Sequence, residues 1–146
     1  MIVRAVSACL LTALLLCVVY AVYGAYPFGQ RNISWGDMEQ QVVPLMLQFK
    51  DILSGESNML INMKNAAGMN FWAVFFFFLS SPFTFLVQFI DKIQIYNFFN
   101  ILLIVKMALC AVTASVYFSC IKPNQSRMLN ILLSLSYAFC GYALMY

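Results

Sequence analysis

Histidine is missing from this chain altogether, and charge is scarce: 9% of its 146 residues, eight basic and five acidic. The first absence removes the commonest acid–base side chain, so any proton chemistry falls to a carboxylate. The second excludes an ordinary soluble domain, in which roughly a quarter of residues are charged and about half are apolar. Here 64% are hydrophobic and the mean hydropathy is +0.86, so the bilayer is the natural solvent. No basic patch for nucleic acid exists, because the net charge of +3 is spread along the chain. Metal-ligand spacing is absent too. Cys9, Cys17, Cys110, Cys120 and Cys140 all sit inside apolar runs without a C-x-x-C pair. They read as small apolar residues of helices rather than as a disulfide framework.

What is present is long apolar sequence. A span needs roughly 20 apolar residues to cross a hydrocarbon core of about 30 Å. Four stretches qualify: about 5–23, 71–90, 97–121 and 128–146. They predict an all-α, polytopic membrane protein, taken as one membrane domain over 1–146. The first stretch follows Arg4 and reads as a retained helix rather than a cleaved signal peptide. Its apolar run is long, and Tyr23 and Tyr26 occupy places where small residues would be wanted. The chain stops as the fourth stretch stops, so it reads as the front piece of a longer protein or a truncated copy. With the N-terminus inside, Arg4 and Lys92 fall on one side and Lys122 and Arg127 on the other. That is a tie under the positive-inside rule. Arg4 precedes the first helix, which places the 24–70 connection on the extracytoplasmic side.

That connection holds four of the five acidic and three of the eight basic residues. Within it, Val42, Leu45 or Met46, Phe49, and Ile52 or Leu53 recur at helical spacing. They predict an amphipathic helix over about 38–54, lying on the membrane surface and stopped at Ser54-Gly55. Pro44 would kink it or delay its start. Asp37 opens the helix. It can cap the first turn, with Gln40 reaching back to complete a capping box, or it can serve as a fixed base for proton abstraction. Glu39 points elsewhere on the same turn. Lys106 lies near mid-membrane in the third stretch, where a lysine costs about 2.5–3.5 kcal/mol. It either snorkels to the headgroups or pairs with a carboxylate or a lipid phosphate. Pro82, after Ser80-Ser81, is expected to kink the second span, and the phenylalanines around it read as lipid-facing or packing surface.

An ordered run of motifs covers about residues 20–90: Tyr26-Pro27-Phe28-Gly29, then Trp35-Gly36-Asp37-Met38-Glu39-Gln40-Gln41-Val42-Val43-Pro44, then Phe49-Lys50-Asp51-Ile52-Leu53-Ser54-Gly55, then Asn65-Ala66-Ala67-Gly68-Met69-Asn70-Phe71, then Ser80-Ser81-Pro82-Phe83. This run resembles the N-terminal part of YfhO-type bacterial membrane proteins, of the GT-C glycosyltransferase superfamily. The resemblance implies a polyprenyl-phosphate-linked sugar donor and a cell-envelope glycan or polymer as acceptor. It implies that Asp37 occupies the place of the acidic base in the first extracytoplasmic loop. Lys106, Arg31 and Lys64 are then the candidate cations for the donor phosphate, and Glu39 and Gln40 are further candidate substrate contacts. No cofactor is predicted, since Asp37 and Glu39 alone make a poor divalent-ion site. Relatives are much longer, so four helices are not expected to form the whole cavity. Two other readings compete with this one: a small non-enzymatic membrane protein or assembly subunit, and a transporter or flippase fragment with Lys106 on its pathway.

Overall fold

A computed structural model describes residues 1–34, 36–61, 63 and 68–140. Among these, regular structure is helical, with no named strand. Among the described residues, two helices are long and apolar enough to cross a membrane, or three if one bent pair counts as a single span. Where the sequence predicts one domain, the chain divides into two compact units: 1–31 with 100–146, and 32–99.

In the first unit, α1 (Ile2–Tyr23) is an unbroken apolar helix of 22 residues, long enough to rise about 33 Å. It ends at Gly24, whose left-handed φ of 74° turns its N–H back to the Tyr20 carbonyl. The chain then closes a small loop. Arg31 N–H donates to the Gly24 carbonyl and Tyr26 N–H to the Arg31 carbonyl, each at 3.0 Å. Gly29 is required there, because a Cβ on it would strike the Gly24 carbonyl.

The helix α4 (Ile95–Ile121, 27 residues) has its later part in this unit and runs antiparallel to α1. Tyr20, near the end of α1, donates its hydroxyl to the Asn100 carbonyl at 3.0 Å. At the opposite end, Arg4 donates to the Gln125 carbonyl at 3.0 Å and the Pro123 carbonyl at 3.4 Å. Buried Ala8, Ala111 and Ala138 meet where α1, α4 and α5 (Arg127–Ala138) pack. Small residues let helix backbones approach when lipid supplies no hydrophobic drive between them. Buried polar groups tie α4 to α5. Ser115 Oγ donates to Asn130 Oδ1 at 2.6 Å, and Asn130 Nδ2 donates to Ser119 Oγ at 3.1 Å and to the Ser115 carbonyl at 3.2 Å. The stretch predicted as a fourth span is, as far as described, the 12-residue α5.

In the second unit, the helix predicted over 38–54 forms as a π-helical turn, Met38–Val42, running into α2 (Val43–Leu53). Pro44 sits in the first turn of α2, where its missing N–H costs nothing. The wider π turn advances the helical phase, so Val43 is buried where the spacing pointed to Val42. The apolar face was expected to rest on the membrane surface. Protein covers it instead: Val43, Leu45, Met46 and Phe49 pack with Phe71, Val74, Phe75, Leu79, Val87 and Ile95. Phe49 is 2% exposed, and its ring centroid lies 5.1 Å from that of Phe75 and 5.6 Å from that of Phe85.

The stretch predicted as a second span, 71–90, is two helical pieces rather than one. Asn70 caps α3 (Phe71–Val74), which runs into a π turn at Phe75–Leu79. After Ser80-Ser81 the chain resumes as a 3-10 helix, Pro82–Phe89, and the two pieces are bent by 108°. The kink expected at Pro82 is thus a full change of direction. Pro82 opens the second piece, where no helical N–H is required of it.

Candidate functional site

Asp37 lies at the start of the π turn in the second unit, as the helical spacing predicted. The turn is built on its backbone: the Asp37 carbonyl accepts from Gln41 N–H at 2.8 Å and from Val42 N–H at 3.3 Å. Buried Met38, packed in the Phe49 core, pins the next residue. The capping role does not form. The Asp37 side chain makes no hydrogen bond to the helix start, and its φ of −85° and ψ of 14° are not extended, so the carboxylate does not fold over the first turn. It stands exposed, as do Glu39 and Gln40. These three residues, with buried Met38 between the first two, are brought together at the start of one π turn.

Of the candidate cations, Arg31 and Lys106 belong to the first unit. Arg31 lies in the loop after α1. Its Nη1 donates to the Tyr23 carbonyl at 3.3 Å, and its guanidinium lies 5.5 Å from the Tyr23 ring centroid. Lys106 is half-buried on α4, also in the first unit. Lys64 lies outside the described residues. Neither of two surface clefts is lined by a candidate residue. One, of 260 Å³, lies between the start of α1 and Val112 and Val116; the other, of 510 Å³, lies between α4 and Tyr137.

A second polar cluster escaped the sequence reading, which treated Lys50 and Asp51 only as polar neighbours on the surface helix. Asp51 is buried at 7% exposure, and Lys92 Nζ approaches its Oδ1 at 2.6 Å. Lys92 also reaches Glu56 Oε2 at 3.4 Å. On the same helix, Lys50 Nζ donates to the Gln88 carbonyl at 3.0 Å and to the Val87 carbonyl at 3.3 Å. Those carbonyls end the 3-10 piece, where a cation is favoured. The cluster ties α2 to both sides of the break before α4. Its one sequence signal is Asp51 itself, two residues past Phe49 on a helix whose other buried members are apolar.

A family model for the bacterial membrane protein YfhO matches residues 7–146. No curated protein and no solved structure matches the chain.

Proposed function

The chain belongs to the YfhO family of bacterial membrane proteins, and from that membership and the Asp37 turn we propose that it serves a membrane glycosyltransferase of the lipid-linked-sugar class. The donor is a sugar on a polyprenyl phosphate, the acceptor is a cell-envelope glycan or polymer, and the 24–70 connection faces the extracytoplasmic side. The observation that carries this reading is an exposed carboxylate, uncommitted to capping, fixed at the start of a packed helix.

In the proposed reaction the Asp37 carboxylate takes the proton of the acceptor hydroxyl. The hydroxyl oxygen bonds to the anomeric carbon, and the carbon–oxygen bond to the lipid phosphate breaks. The electron pair of that bond leaves on the phosphate. A single base without a nucleophilic partner corresponds to inversion at the anomeric centre. Arg31, Lys64 and Lys106 are the candidates to meet the phosphate charge, and Glu39 and Gln40 are candidate contacts beside the base.

The test is Asp37→Asn in the complete protein, scored by sugar transfer with membrane insertion and abundance measured in parallel. Removal of a general base is expected to lower transfer by about 10²–10⁴-fold at unchanged abundance. Transfer at the wild-type rate would reduce Asp37 to a structural residue.

A further inference from the structure

The segment 71–89 carries an arrangement that a membrane span cannot have. A straight helix over these residues would carry the chain about 28 Å, so residues just before and just after it would lie on opposite faces of the bilayer. In the second unit the two flanks are instead joined. Lys92 lies 2.6 Å from Asp51, and Lys50 of the same helix holds the Val87 and Gln88 carbonyls. The 108° bend at Ser80-Ser81 is what returns the chain. Backbone groups at the turn are satisfied locally: Ser80 Oγ donates to the Phe76 carbonyl at 3.1 Å and Thr84 N–H to the Ser81 carbonyl at 2.9 Å.

The outer surface of this hairpin is aromatic. Phe77 is 79% exposed, Phe89 84% and Ile93 93%, with Trp72, Phe76 and Phe85 exposed beside them. Their inward neighbours Phe71, Phe75 and Leu79 are already buried in the core of the unit. The stretch is apolar enough for a membrane span. It also runs on into α4, an apolar helix long enough to cross the bilayer.

We infer that residues 71–89 form a re-entrant hairpin, which enters and leaves the same face of the bilayer and seats Trp72, Phe76, Phe77, Phe85 and Phe89 among lipid acyl chains. The occupant of this surface is lipid, since the segment runs on into a helix long and apolar enough to cross the bilayer and no charged side chain interrupts the exposed face. Asp51, Glu56 and Lys92 close the base of the hairpin at the headgroup level. The inference does not depend on the transfer reaction.

Single cysteines at Ser54, Gln94, Asn124, Phe77 and Phe89, in a background freed of the native cysteines, test it with a membrane-impermeant maleimide on intact and permeabilised cells. Ser54→Cys and Gln94→Cys are expected to label together, and Asn124→Cys from the opposite side. Phe77→Cys and Phe89→Cys are expected to lose labelling in both states. Labelling of Ser54→Cys with Asn124→Cys, and of Gln94→Cys from the opposite side, would mean that the segment spans, and would overturn the inference. Labelling of Phe77→Cys as readily as Ser54→Cys would place the aromatic face in water and overturn it equally. Should the cysteine-free background fail to insert, an impermeant amine reagent on the wild-type protein asks the same question by mass spectrometry. Modification of Lys92 together with Lys50 supports the hairpin, and modification of Lys50 together with Lys122, apart from Lys92, refutes it. If Ser54 and Gln94 label together but only after permeabilisation, the hairpin stands and the extracytoplasmic placement of the loop falls.

Discussion

At the scale of single residues, two aspartates fourteen positions apart have different fates. Asp37 satisfies the local pattern of a helix cap, yet its side chain caps nothing and faces solvent. Asp51 shows no local pattern and is buried against Lys92. Capping depends on backbone dihedrals that a π turn does not supply, whereas burial depends on what packs over a position. Both were therefore beyond reach of spacing alone. Removing Lys92 leaves the Asp51 carboxylate buried without its nearest cation, which is the costly half of breaking an ion pair. Lys92→Met is expected to destabilise the 32–99 unit in detergent, and Lys92→Arg to preserve it. The double exchange Asp51→Lys with Lys92→Asp should recover part of the loss. Thermal unfolding of the three variants checks this, and Lys92→Met melting with the wild type would show the pair to be incidental.

At the scale of elements, helical periodicity located α2 to within a residue at its C-terminal end but misjudged what covers its apolar face. Period shows that a face is apolar; it does not distinguish lipid from protein as the covering. Here the phenylalanine-rich segment supplies the cover, and Phe49 sits at its centre, with Phe71 stacked at 6.4 Å between centroids. Phe49→Ala is expected to cost about 3–5 kcal/mol, as for a fully buried aromatic with little room to collapse. Limited proteolysis should then cut within 32–99 while α1 and the later part of α4 stay protected. Equal resistance of both parts would show that Phe49 is not central to this core. The same logic explains the segment 71–90. Its composition fits a span, but the break at Ser80-Ser81 and Pro82 changes its direction.

At the scale of the whole molecule, the hairpin resolves the charge tie. If 71–89 returns to the face it entered, the described helices left to cross are α1 and α4. Arg4, Lys122 and Arg127 then gather in short segments at one end with no carboxylate among them. All five acidic residues lie in the stretch between Tyr23 and Ile95. That stretch exceeds the roughly 60-residue limit within which loop lysines and arginines steer orientation. The rule then favours the Arg4 end as cytoplasmic, which agrees with the placement that the proposed transferase needs for Asp37. Replacing Arg4, Lys122 and Arg127 together with glutamine is expected to yield a mixed orientation. The measure is the fraction of Ser54→Cys accessible in intact cells, and an unchanged fraction would show that orientation is set elsewhere.

By itself the sequence determined that this is a helical membrane protein, that Asp37 opens a helix in a polar connection, and that a YfhO-like motif run begins the chain. Composition and period suffice for these, because each rests on residues close together in the chain. Only the tertiary structure decided that the predicted second span is bent, that α2 packs on protein, and that Asp51 and Lys92 form a pair. Those facts join residues some forty positions apart, and nothing in a local window records which distant surface will cover them.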